Sequence, residues 1–382
     1  MGSITVDIED IFKYLHSHPE LAYCEENTTA YIKDIMTREG IKVIDTPLKT
    51  GLVAEIEGKN AHHDTLTVAM RADIDALPIE EQTGLTYSSE NKGVMHACGH
   101  DIHTSIAIET ARILNNNREK LCGNARILFQ PAEESGFGAK DILKADALGQ
   151  ARAVFSLHSS PLLPAGSLGI KAGPITSSVD IFKIVISGTG THAAMPQNGT
   201  DSITAASAIV TSLQSIVSRN VSPYDKAVIS VTHIEGGNSW NVIPDNVLLE
   251  GTVRTMGAAV REKVVERIYD VVSNTAAAYG VRADIDWRQG PPATANDPEL
   301  AAFATEEALK AGFNTVDGYE TMVGEDFAFI QEKYRGLMIW VGTGLGAPLH
   351  NPHFKADYSV IKPTAEFFAT LITKYIELIN TK

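Results

Sequence analysis

Through residues 1–174, short continuous apolar runs alternate with stretches whose apolar residues recur every three or four positions. Segments 66–70, 127–129 and 154–157 have the uniform apolar character of buried strands. Tyr31, Ile32 and Ile35, and then Ile102, Ile106 and Ile113, fall on the core-facing sides of helices. This alternation predicts a layered α/β domain with a mostly parallel sheet. The same pattern returns after residue 290, with a helix expected over 298–311, a strand over 337–341 and a last helix over 363–379.

The middle of the chain is patterned differently. Phe182, Ile184 and Ile186 alternate as a half-buried strand, and 201–219 carries Ala205, Ile209, Leu213, Ile216 and Val217 at helical spacing. Strands are predicted at 227–235 and 247–255. A helix follows with Val260, Val264 and Ile268 on one face and Gly280 as its stop. Val281, Ala283, Ile285 and Trp287 then alternate as a closing strand, and Gly290-Pro291-Pro292 marks the exit. The order β-α-β-β-α-β is a ferredoxin-like arrangement. The expectation is an inserted smaller domain over 175–289 within a discontinuous larger one formed by 1–174 and 290–382.

Composition narrows the function. Hydrophobic residues make up 44% and charged residues 21%, normal for a globular protein. With 32 basic and 47 acidic residues the formal net charge is −15, and no basic block interrupts it. Nucleic acid and anionic membranes are therefore not expected partners. No apolar run approaches a membrane span, and the opening MGSITVDIEDIFKYL lacks the basic segment and apolar core of a secretory signal. Three scattered cysteines, Cys24, Cys98 and Cys122, make no disulfide framework, so a reducing cytoplasm is the expected setting.

Candidate chemistry gathers at the ends of the predicted strands. Arg71-Ala72-Asp73-Ile74-Asp75 follows the first, Gln130-Pro131-Ala132-Glu133-Glu134 the second and His158 the third. In open α/β sheets, ligands bind beyond the carboxyl ends of strands, so these groups should converge. Residues 95–103 add His96, Cys98, His100, Asp101 and His103, and 349–353 add His350 and His353 after a glycine-rich run. Imidazole, thiolate and carboxylate are ligands for zinc and neighbouring metals. Cys98 and His100 can point to one centre. Asp101 and His103, at a helix start, suit either capping or support of a ligand. Adjacent glutamates can divide two tasks, one holding metal and one taking a proton from water. His16 and His18 read as a structural helix end, and His62 and His63 as surface residues. No zinc-finger spacing, G-x-S-x-G elbow or P-loop is present.

Taken together, R-A-D-I-D-A-L-P (71–78), M-H-A-C-G-H-D (95–101), Q-P-A-E-E (130–134), L-H (157–158) and L-H-N-P (349–352) resemble the metal-dependent aminoacylase and carboxypeptidase family. The match is best to its amidohydrolase subfamily of hippurate hydrolases, N-acyl-amino-acid deacylases, acetyldiaminopimelate deacetylases and auxin-conjugate hydrolases. H-S-H-P-E-L (16–21), G-T-G-T-H-A-A-M-P (188–196), N-V-I-P (241–244), E-G-T-V-R-T (250–255) and G-E-D-F-A (324–328) extend the resemblance over almost the whole chain.

The resemblance implies a two-metal site with Cys98, His100, Glu134, His158 and His350 as ligands. It implies Glu133 as general base, Asp73 as the aspartate that orients a ligand, and His192 as the group stabilising the oxyanion. Asn241 and Arg254 would hold the substrate carboxylate, in keeping with the fork geometry of guanidinium. It further implies a lid domain that serves as a homodimer surface, and an N-acyl amino acid as substrate. Manganese, zinc, nickel and cobalt all suit the ligand types. Thr189, Thr191 and Ser159-Ser160 depart from the usual pattern and bear on substrate preference. The alternatives are a dipeptidase or carboxypeptidase, and a non-catalytic dimeric binding protein. Retention of Glu133 and every ligand argues against the latter.

Overall fold

The computed structural model describes residues 6–59 and 66–381 and divides into two compact units. His62 and His63 lie outside the described residues. The first unit runs to Gly173 and takes in Ala295–Tyr319 and Asp326–Lys382, and the second comprises Pro174–Thr294 and Glu320–Glu325.

An eight-stranded sheet forms the first unit. At its centre Asn124–Gln130, Thr67–Asp73, Ala151–Ser160 and Gly336–Gly342 lie side by side and parallel. Their Val, Ile, Leu and Phe residues are buried on both faces, which explains the unbroken apolar runs. The flanks are mixed. Leu52–Glu57 and Lys42–Ile44 add an antiparallel edge, and Ser167–Ile170 runs antiparallel to Gly336–Gly342 before Asn314–Asp317 pairs parallel with it. These short flanking strands alternate too little to announce a direction in sequence.

Helices cover the sheet. His100–Asn116 packs against Ile361–Asn380, and both contribute to the core of Phe129, Phe155, Leu157, Ile102, Ile106, Phe368 and Ile372. Helix Pro298–Lys310 begins as its sequence predicts. Asp297 accepts hydrogen bonds from the backbone N–H groups of Glu299 and Leu300, and Pro298 opens the first turn. Among the described residues no helix is long and apolar enough to cross a membrane.

In the second unit four antiparallel strands run in the spatial order Ala227–Gly236, Asn246–Thr255, Asp180–Ser187, Arg282–Gln289. Helices Ser202–Ser215 and Ala258–Ala278 occupy the positions between strands that the hydrophobic periods demand. Phe182, Ile184 and Ile186 face Ala205, Ile209, Leu213, Val264 and Ile268 in one apolar cluster. The first of these helices ends in a wide π turn over Ile216–Asn220 rather than continuing as α-helix. Gly280, at φ +70°, stands just past the end of the second. Segment Glu320–Glu325 belongs here because the Thr321 N–H donates to Ile175 O and the Ser177 N–H to Val323 O, both at 2.9 Å. Nothing in the hydrophobic pattern announces that stitch.

Candidate metal centre

Parallel pairing brings the polar groups of three strands to one edge. Strand Thr67–Asp73 continues three residues past Met70, so Arg71 and Asp73 lie on it rather than after it. Asp73 stands beside Gln130, the last residue of the next strand. His158 is likewise inside its strand, Ala151–Ser160, and faces the edge of Trp340 on the neighbouring strand at a ring separation of 5.5 Å.

The glutamate turn is held in a costly backbone shape. Ala132 has φ +56°, a left-handed conformation that residues with a Cβ rarely adopt. Its N–H donates to Glu25 Oε1 at 2.8 Å, and the buried Glu25 is itself braced by the Thr50 hydroxyl at 2.8 Å. Glu133 and Glu134 follow in a single 3₁₀ turn, with the Glu134 N–H donating to Asp75 Oδ2 at 2.9 Å.

Cys98 and His100 flank Gly99, whose φ is +85°. A Cβ at Gly99 would lie 2.5 Å from Ser159 Oγ, so only glycine lets this turn approach the His158 strand. His100 opens the helix His100–Asn116. Its Nδ1 lies 2.9 Å from the Asp75 carbonyl and 3.2 Å from Asp75 Oδ1. Both partners are acceptors, so Nδ1 carries the proton and Nε2 faces inward. His158 repeats the arrangement, with Nδ1 donating to Ser159 O at 2.9 Å and Nε2 lying 3.5 Å from Cys98 Sγ.

Four overlapping sets result within the first unit: Cys98, His100 and His158; Cys98, Glu134 and His350; His100, Glu133 and Glu134; Asp73, His100 and His103. Within each, the potential ligand atoms all lie within 4.8 Å of one another. His350, half-exposed, reaches Glu134 Oε1 with Nε2 at 3.4 Å from a backbone at φ +61°. His100 Nε2 and Glu134 Oε1 are buried without a good hydrogen bond. Orphaned nitrogen and oxygen atoms beside a thiol, where polar groups otherwise find partners, are what a bound cation would satisfy. The donor set fits divalent metal.

The electrostatics agree. Burial first, and then the charge of Glu134, pushes the Cys98 thiol well above its usual range, so a thiolate there needs a cation beside it. Burial pushes His158 down to about 4, which keeps its ring neutral and ready to ligate. Burial opposes charge on His100 as well, but the Asp73 carboxylate outweighs it and raises that pKa. A proton would thus compete with a bound cation for His100 Nε2.

His103 is different. Its Nε2 accepts the Ser159 N–H at 2.7 Å, so its Nδ1 proton must go to Asp73 Oδ1 at 2.5 Å. Both nitrogens are spent, and burial holds its pKa near 4. Asp73 secures His103 and lies 3.7 Å from His100 Nε2, while Asp75 is the carboxylate hydrogen-bonded to the His100 ring. Sequence reasoning missed Asp75 as a support although it stands in the same R-A-D-I-D run, because the strand ends at Asp73 and the course of the chain beyond it leaves no periodic signal.

Other histidines take no place in these sets. His96 is buried with burial pressing its pKa to about 4, and the exposed His353 donates from Nδ1 to the Gln82 carbonyl at 2.9 Å. His16 ends its helix by bridging Asp101 Oδ2 at 2.6 Å and Glu81 Oε1 at 3.3 Å. His192, Asn241 and Arg254 are all in the second unit. There His192 pairs with Val242 in a short two-strand ladder, and Ala193 N–H donates to Asn241 O at 3.0 Å. Arg254 is half-buried on Asn246–Thr255, with Nε donating to Thr252 Oγ1 at 3.2 Å.

Comparison with known proteins adds four observations. Residues 69–374 match the model of the peptidase family M20/M25/M40. An N-acetylcysteine deacetylase of Bacillus subtilis is 44% identical over 96% of this chain and 96% of its own length. An N-acetyldiaminopimelate deacetylase of Shouchella clausii is 35% identical over 98% of each. Among solved structures, a dinuclear metal binding peptidase of the M20 family from Bacillus subtilis superposes with TM-score 0.88 and 41% identity, over 97% of this chain and 98% of that one.

Proposed function

The chain belongs to the peptidase family M20/M25/M40, and from that premise we propose that it is a metal-dependent amidohydrolase acting on N-acyl amino acids. The observation that carries the reading is the convergence of Cys98, His100, Glu134, His158 and His350 with Glu133, two of their buried atoms lacking a hydrogen bond.

Two divalent ions, drawn from manganese, zinc, nickel and cobalt, would supply Lewis acidity and an acidified water. Cys98, His100, Glu134, His158 and His350 would hold them. Asp75 and Ser159 O fix the His100 and His158 rings so that Nε2 is the ligating atom of each. Glu133, adjacent to Glu134 but directed by a different hydrogen bond, would take the proton from water and return it to the leaving amine.

The second unit supplies recognition in this proposal. Its four-strand order supports reading 175–289 as a ferredoxin-like lid, with 1–174 and 290–382 as the catalytic domain. Arg254 and Asn241 would bind the substrate carboxylate and His192 the developing oxyanion, an effect of about 3 kcal/mol for one donor. The lid would also form a homodimer surface. A free Cys98 ligand calls for a reducing compartment such as the cytoplasm.

The test is hydrolysis of a panel of N-acyl amino acids and dipeptides by metal-loaded protein and by Glu133→Ala under reducing conditions. Release of free amino acid from acyl substrates, lost in the variant, is the expected result. Preference for dipeptides would replace the proposal with a dipeptidase, and metal binding without any turnover would favour a binding protein.

A further inference from the structure

The aspartate of G-E-D-F-A has no part in the chemistry above, yet Asp326 is completely buried beside it. Asp326 Oδ1 accepts from Arg71 Nη2 and from Gln130 Nε2, each at 2.8 Å. Asp326 Oδ2 accepts the Ala139 N–H at 2.8 Å. Gln130 closes the strand that leads into the glutamate turn, and Ala139 lies in the first turn of the helix Gly138–Lys144 that leaves it. One carboxylate therefore ties both ends of the segment carrying Glu133 and Glu134. The Asp326 N–H then donates to Glu133 Oε1 at 3.3 Å.

Charge makes this tie strong. Hydrogen bonds to an ionised group are roughly twice as strong as neutral ones, and Arg71 brings the compensating charge that a buried carboxylate needs. Arg71 donates to Asp73 Oδ2 at 2.7 Å with its other amino group, so the guanidinium sets the brace against the strand bearing Asp73. The left-handed Ala132 lies inside the braced segment and needs such over-determination to persist.

We infer that Asp326 is a positioning residue for Glu133. It pins the turn at both ends through its carboxylate and orients the Glu133 carboxylate through its backbone N–H. The inference rests on the assignment of Glu133 as the proton-accepting group.

A double-mutant cycle tests it. Asp326→Asn keeps the size but presents an NH₂ group to Arg71 and Gln130 or to the Ala139 N–H, so part of the brace must open. In the metal-loaded enzyme, kcat for the best acyl substrate should fall about 10- to 100-fold, the scale of a small misplacement of a reacting group. KM, metal stoichiometry and affinity for a non-hydrolysable substrate analogue should stay within about twofold. In a Glu133→Gln background the same change should cost almost nothing further, because the group being positioned is already disabled. Losses that multiply across the cycle, or a fall in metal content that accounts for the lost rate, would overturn the inference and leave Asp326 a general structural residue. Full activity in Glu133→Gln alone would instead sink the assignment of the base. If Asp326→Asn does not fold, Gln130→Leu removes one donor from the same carboxylate and is read through the same cycle.

Discussion

At the residue scale, the partners of each imidazole separate candidate ligands from supports. His100 and His158 each give Nδ1 to an acceptor of the protein and leave Nε2 toward the candidate centre, whereas His103 spends both nitrogens. His16 shows a third use. Burial opposes its charge, but hydrogen bonds to Asp101 and Glu81 overcome that and raise its pKa from 6.5 to about 9. A raised folded-state pKa contributes stability that is fully present below the unfolded value, about 6.5, and is lost as pH climbs through about 9. The contribution is on the order of 3 kcal/mol. Urea unfolding between pH 6 and 10 should show this loss, and His16→Gln should be less stable at pH 6 with a flatter profile. An equally steep fall in the variant would remove His16 as its source.

At the scale of elements, the decisive feature is how a turn enters a helix or leaves a strand. Gly99 is the sharpest case, since its φ of +85° and the 2.5 Å approach to Ser159 Oγ both exclude a side chain. Gly99→Ala should therefore displace Cys98 and His100 together. We expect a loss of about 1–3 kcal/mol in stability and a drop in bound metal seen by elemental analysis. Normal metal content in a stable variant would mean the turn tolerates a shift of the neighbouring strand. The strands themselves were legible as apolar runs at 66–70, 127–129 and 154–157, but their ends were not. Arg71, Asp73 and His158 continue the ladders because their polar side chains find buried partners, and a hydrophobic pattern cannot register that compensation.

For the whole molecule, two compact units give metal removal a distinctive signature. The five candidate ligands all belong to the first unit, and a ligand that binds only folded protein stabilises by about 2.7 kcal/mol at a hundredfold excess over Kd. Chelation should lower the melting temperature of that unit and leave tryptophan emission from Trp240 and Trp287 in the second unit, followed after replacing Trp340 by Phe, melting where it did. A uniform shift of both would show that the units unfold as one.

What the chain carried on its face was local or additive: the strand and helix periods, the succession of strands and helices along the middle segment, and the residue types that suit metal. Those follow from solvent exclusion, which acts on each side chain by its own polarity. The choice among neighbouring polar residues was settled only in three dimensions. Asp75 meets His100 Nδ1 while Asp73 lies by its Nε2, His103 is closed on both sides, Glu320–Glu325 joins a unit distant in sequence, and Asp326 reaches back across nearly two hundred positions to the Glu133 turn. Hydrogen bonds are directional and short in reach, so which donor meets which acceptor depends on the packing of whole elements and leaves no periodic trace in the sequence.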